Sequence, residues 1–159
     1  MLRMRSIRYP GLIGYRSEPG GGTTDYAVEI YHAATAGEAY TCFLRADQAL
    51  PMMYMDDAVR GTLELMAAPA DRIQVRTSYN LGAMSFTPSE VANGIQQLLP
   101  NFQVNYAPDQ RQAIAESWPE SIDDAAARAD WGWEPQVLLP EMTSIMLDAI
   151  GKKTQSAVY

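Results

Sequence analysis

Basic side chains are scarce in this sequence, with 12 Lys and Arg against 19 Asp and Glu. They form no cluster that could track phosphates, so nucleic-acid binding has no electrostatic footprint. The net charge of -7 mainly favours solubility. Lysine occurs only at Lys152 and Lys153. No tyrosine is therefore followed on a helix by a lysine that would lower its pKa for taking a proton from an alcohol. His32 is the single histidine, with no companion ligands for a metal and no serine elbow motif to serve, so no metal site and no catalytic residue is expected in this chain. Cys42 is the single cysteine, so no disulfide closes within the chain, which fits a reducing, cytoplasmic setting. No apolar run could span a bilayer, and the positive start from Met1 to Arg5 leads into Ile7-Arg8-Tyr9-Pro10-Gly11 rather than a signal-peptide core. A nucleotide-binding glycine fingerprint is also missing. Gly20-Gly21-Gly22 is contiguous, a long loop separates it from any strand, and no acidic residue follows at ribose-contact distance.

What is present is one domain's worth of chain, 159 residues of which 47% are hydrophobic, enough for a single core. Ile7 to Tyr9 predicts a strand stopped by Pro10-Gly11, and Ser17 to Gly22 is rich in turn formers. Thr23 or Thr24 can cap a helix carrying Ala27, Ile30, Tyr31 and Ala34, with Gly37 as its stop. Tyr40 to Leu44 and Met52 to Met55 read as strands, and Asp56-Asp57 offers an N-cap for a helix that runs to Pro69. Thr77 to Leu81 is extended. Thr87-Pro88-Ser89-Glu90 is a capping box with proline at the first helical position, opening a helix with Val91, Ile95 and Leu98 that ends at Pro100. Phe102, Val104 and Tyr106 alternate with polar residues as in a half-buried strand, and Ile122 to Ala129 and Glu141 to Ile150 predict two more helices. The tail from Gly151 to Tyr159 is polar and reads as frayed. Alternating helices and short strands make the class α/β or α+β.

Several strings carry more than propensity. Arg8-Tyr9-Pro10-Gly11-Leu12-Ile13, Pro19-Gly20-Gly21-Gly22-Thr23-Thr24-Asp25-Tyr26-Ala27 and Leu50-Pro51-Met52-Met53-Tyr54-Met55-Asp56-Asp57 occur in that order. They are followed by Tyr79-Asn80, Met84-Ser85-Phe86-Thr87-Pro88, Arg111-Gln112-Ala113-Ile114-Ala115-Glu116-Ser117-Trp118-Pro119 and Asp130-Trp131-Gly132-Trp133. Together they resemble the second half of the short-chain-type L-threonine 3-dehydrogenases, members of the NAD-dependent epimerase/dehydratase superfamily, from about Arg5 to Ile150. Gly132-Trp133-Glu134-Pro135 is less specific, being widespread among related sugar-nucleotide enzymes.

The resemblance implies an α/β fold: the C-terminal part of an extended short-chain dehydrogenase, mainly its small substrate lobe with a few strands and helices of the Rossmann-type nucleotide sheet. Residues 1–150 would form that part and 151–159 the tail. It implies oxidation of L-threonine by NAD to 2-amino-3-oxobutanoate, with the Tyr base and its Lys in an N-terminal half that this chain lacks, so that the chain alone should be inactive. The complete subunit would be a homodimer. Gly22, Thr23, Thr24 and Trp118 are the implied substrate contacts, and Tyr9, Pro10 and Leu12 the turn over the nicotinamide. A glycine loop opening a helix, with two threonines, can offer donors to a small carboxylate, and Trp118 can exclude water. Taken without the resemblance, Thr24 is equally a helix cap and Trp118 a packing residue. Asp56 and Asp57 read as caps, Met52, Met53 and Met55 as core filling, and Arg111 as a surface or carboxylate-paired residue. Arg111 could also clamp a diphosphate, which keeps a sugar-nucleotide epimerase or reductase open as an alternative. A non-catalytic binding or assembly module is the other.

Overall fold

A computed structural model describes residues 4–156 of the chain. Met1 to Arg3 and residues 157–159, and with them the ends of the N-terminal reading and of the expected tail, lie outside the described residues. The chain opens with two short strands, β1 (Ile7–Arg8) and β2 (Gly11–Ile13), then helix α1 (Tyr26–Ala36), β3 (Tyr40–Cys42), β4 (Leu50–Tyr54) and α2 (Met55–Ala67). Next come β5 (Tyr79–Asn80), β6 (Met84–Phe86), α3 (Pro88–Leu98), β7 (Val104–Tyr106), α4 (Arg111–Glu116), α5 (Ala125–Trp131) and α6 (Leu139–Ser156). The α/β expectation holds, built on three small sheets: β1 and β5 parallel, β3 and β7 parallel, and β2-β4-β6 with one parallel and one antiparallel pairing.

β4 divides the interior. All five of its residues are buried, and because strand side chains alternate sides, Leu50, Met52 and Tyr54 enter the larger core while Met53 enters the smaller one. The larger core packs β4 against Tyr26, Ile30 and Tyr31 of α1, Val91 and Ile95 of α3, and Met142 and Met146 of α6. The smaller one gathers Ala58 and Leu65 of α2, Tyr79, Leu81, Ala127 and Trp133. Trp133 is fully buried and its indole N–H donates to the Gly82 carbonyl at 2.9 Å, satisfying the one polar atom it takes inside.

Several elements differ from the sequence expectation. The segment around Gly11, read as a loop, is strand β2, because its register opposite Met52 to Tyr54 supplies partners that no local pattern announces. β6 and α4 are also additions. The cap of α1 is Asp25, not Thr23 or Thr24, and its side chain turns away from the helix. The capping box at Thr87 forms as expected, Thr87 Oγ1 accepting from Glu90 N at 3.2 Å and Glu90 returning a carboxylate to Thr87 N at 2.7 Å. Where a frayed tail is expected from Gly151, α6 continues to Ser156. Lys152 pairs with Asp148 one turn back, and Lys153 reaches Glu18 in the β2–α1 loop.

Asp57 does not cap α2, which starts from Tyr54 with an extended backbone. Its carboxylate is 2% exposed and accepts from the backbone N–H groups of Gln136 and Val137, each at 2.9 Å, and from Arg60 at 2.8 Å. Arg60 also donates to the Glu134 carbonyl and lies over the Trp133 ring at 4.8 Å. A buried carboxylate needs such company. Met52 and Met53 are core residues as expected, while Met55 is 37% exposed at the start of α2.

Candidate functional site

Where β1 leads into β2, Tyr9, Pro10 and Gly11 form one wall of a surface cleft of about 360 Å³. Thr24, Pro51 of β4, and the segment Trp118, Pro119 and Ile122 complete it. None of these side chains is a carboxylate or a cation. The cleft is walled by rings and prolines and carries the Thr24 hydroxyl as its aliphatic polar group, which suits a small, partly apolar molecule.

Each wall is held from behind. Thr62 donates its single hydroxyl proton to the Ala58 carbonyl at 2.7 Å, so the Tyr9 phenol donates to Thr62 Oγ1 and ties the Tyr9 ring to α2. At Gly11 there is no room for a side chain: a Cβ would stand 2.8 Å from Thr24 Cγ2 and 2.6 Å from Met52 Sδ. Glycine therefore lets β2 approach the threonine closely. The Trp118 segment hangs from α4 and is pinned at several points. Trp118 N donates to Ala115 O at 3.1 Å, Ser85 Oγ donates to Glu120 O, and Asn80 donates to Asp123 O at 3.3 Å. α4 is anchored in turn by Gln112, whose amide donates to Gln48 at 2.7 Å and Glu116 at 3.0 Å and accepts from Arg45 N at 2.8 Å. Trp118 itself is 42% exposed, so it lies over the cleft and not in the core.

Of the residues singled out in the sequence, Tyr9, Pro10, Thr24 and Trp118 thus meet around one cleft. Three do not line it. Thr23 is buried at 9% exposure, and Gly22 is exposed. Leu12 is 36% exposed and alternates with Gly11 and buried Ile13, which turns it to the other side of β2. The glycine loop is also not an open cradle. Gly20 N and Gly22 N both donate to one oxygen of Asp25, at 2.7 and 2.8 Å, across Gly21 with φ +89°. Of the donors assigned from sequence to a ligand carboxylate, the Gly20 and Gly22 N–H groups are taken by the chain's own Asp25. Gly11, Pro51, Pro119, Ile122 and Asp25 are additions to the site. Only Asp25 carried a local signal, an acidic residue three positions after a glycine N–H it can cap.

Arg111 is spent internally. It forms a fork with Asp109, its Nη2 at 2.6 Å, and lies 3.2 Å over the Phe43 ring. The neighbouring guanidinium holds the Asp109 carboxyl below its ordinary range. An arginine already paired and stacked offers little to a diphosphate. His32 lies 3.8 Å from Glu18, whose carboxyl is lowered chiefly by its bond to Lys153.

No protein-family model matches the chain. It is 50% identical over 157 residues to the mitochondrial L-threonine 3-dehydrogenase of Bos taurus, which covers 98% of this chain and 42% of that protein. It is 48% identical over 153 residues to an uncharacterized epimerase/dehydratase of Staphylococcus haemolyticus, covering 96% of this chain and 48% of that one. Among solved structures, the GalE-like L-threonine dehydrogenase from Cupriavidus necator in its holo form matches 92% of this chain and 47% of its own, at TM-score 0.90 and 61% identity. The UDP-glucose 4-epimerase of Thermotoga maritima shares the fold, at TM-score 0.73 and 21% identity. The chain spans about half the length of the relatives it matches.

Proposed function

We propose, from the premise that this chain is homologous over nearly all its length to the L-threonine 3-dehydrogenases and has the extended short-chain dehydrogenase fold, that it supplies the substrate cleft of an NAD-dependent L-threonine dehydrogenase. The observation that carries the reading is the convergence of Tyr9, Pro10, Thr24 and Trp118 on one cleft. Thr24 offers its hydroxyl to the zwitterion's carboxylate or hydroxyl, and Trp118 covers the opening to keep water from the reacting carbon. Tyr9 and Pro10 present a flat, ring-lined surface whose composition suits a nicotinamide, and Leu12, with its side chain on the other side of β2, completes that turn through its backbone. Bound there, NAD supplies the hydride acceptor. This chain's residues contribute orientation and exclusion of water. The Tyr-Lys pair that takes the substrate's proton and the glycine turn that holds the pyrophosphate belong to a nucleotide-binding half that is not in this sequence. No helix among the described residues is long and apolar enough to cross a membrane, and buried, unpaired Cys42 is compatible with a reducing compartment.

The half that carries the pair would seat on α2. Met55, Val59, Leu63 and Met66 recur along one side of that helix and are 37%, 52%, 59% and 68% exposed. Beside them β1 has β5 as its one partner among the described residues. Two-strand parallel sheets of two residues are not stable alone, and parallel strands are normally covered on both faces. An apolar helix stripe next to an open parallel strand fits an α/β partner that adds strands there.

The test is NADH formation from L-threonine and NAD by the purified chain, alone and mixed with the nucleotide-binding half of a relative. Activity in the mixture only is the expected result. Oxidation by the chain alone would contradict the division of roles. Activity of the mixture that Trp118→Ala and Thr24→Ala leave unchanged would remove the cleft from the mechanism.

A further inference from the structure

Three consecutive glycines are the most costly residues in a chain to order, because each has the widest range of backbone states to give up. Here they lie two residues before Thr24, the hydroxyl of the cleft, so something has to hold them. One carboxylate oxygen of Asp25 collects the N–H groups of Gly20 and Gly22 at 2.7 and 2.8 Å, and Gly21 between them takes φ +89°. Successive N–H groups turned inward around a left-handed residue make a concave anion site. In this chain the anion is built in. Asp25 N closes the turn by donating to Gly22 O at 3.1 Å, and the next two residues, Tyr26 and Ala27, are fully buried at the start of α1. The side chain therefore fastens the loosest stretch of the loop to a fixed helix, with Thr24 caught between the two fastenings and pressed against Gly11.

We propose that Asp25 is a positioning residue for the cleft: its carboxylate fills the anion turn of Gly20 to Gly22 and so fixes Thr24, and the substrate's carboxylate is not bound by those glycine N–H groups. The inference rests on the dehydrogenase reading for what Thr24 touches, but not for the loop itself. An asparagine can keep the arrangement, because a single oxygen accepts both bonds. Alanine removes it. Formate, a free carboxylate of the same shape, can enter the emptied turn.

Amide hydrogen exchange at Gly20 and Gly22 in the full chain tests the loop without any substrate. Both amides should be protected in the wild type. They should exchange on the order of tenfold faster in Asp25→Ala, as for loss of a charge-assisted hydrogen bond. Protection should remain in Asp25→Asn and return to Asp25→Ala with excess formate, while α1 amides report that the fold is intact. If the alanine variant does not fold, Asp25→Ser, whose oxygen is too short to reach both N–H groups, takes its place. Equal exchange in wild type and variant, or no response to formate, would overturn the built-in anion. In the activity mixture, a loop held correctly one-tenth of the time raises KM for L-threonine about tenfold with kcat kept. An unchanged KM would overturn the link to Thr24. If no form oxidises threonine, the dehydrogenase reading fails and the exchange result still decides the role of Asp25.

Discussion

Removing the Asp57 carboxylate should destabilise the chain more than its place at a helix start would indicate. The group is 2% exposed and serves three donors: Gln136 N, Val137 N and the Arg60 guanidinium. In Asp57→Ala the two backbone N–H groups lose their acceptor, and Arg60 loses the partner that neutralises it beside Trp133. Breaking a buried charge pair by deleting one member costs about 3–5 kcal/mol. Arg60 keeps Glu64 and the Glu134 carbonyl and has a quarter of its side chain in water, which places the loss near the lower end, about 3 kcal/mol. For a chain of this length that lowers Tm by about 6–12 °C. Asp57→Asn keeps an oxygen for the backbone but turns an amide toward Arg60, and should lose about half as much. Urea unfolding followed by tryptophan fluorescence measures both, since Trp133 sits against the clamp. A loss below about 0.5 kcal/mol in the alanine variant, with an unchanged denaturant slope, would refute the reasoning, because that is the level of an ordinary surface change.

Burial pushes the Cys42 thiol from 9.0 up to about 11. Because the folded value is the higher one, this group's contribution to stability is complete below 9.0 and is lost as pH rises from 9.0 toward about 11, where only the unfolded thiol ionises readily. Iodoacetamide should therefore leave Cys42 unmodified in the native chain at about pH 8 and label it after denaturation; rapid native labelling would contradict this. On α2, Leu63→Glu together with Met66→Glu should leave the chain's own unfolding within about 0.5 kcal/mol, since both side chains already face water. The same pair should weaken association with the nucleotide-binding half by at least about 100-fold, each lost apolar side chain being worth about 1.5–3 kcal/mol. Association that survives the two charges would place the partner elsewhere.

The sequence by itself determined the elements whose cause is local. The capping box at Thr87 and Glu90 and the helical spacing through Ile30 and Ala34 ending at Gly37 concern atoms a few residues apart. Its family strings also carry Tyr9, Pro10, Thr24 and Trp118. Tertiary structure alone decided what those residues share. β2 and β6 are three-residue strands that exist because β4 offers hydrogen bonds on both sides, and no short segment encodes its partner's position. Leu12 left the cleft because strand alternation follows from which face is buried. Asp57 reads as a helix cap and Asp25 carries no role of its own in the sequence, yet one carboxylate holds a segment 79 to 80 residues further along the chain and the other closes a glycine turn. A carboxylate's role is set by the N–H groups that reach it, and those are brought to it by packing, not by spacing along the chain.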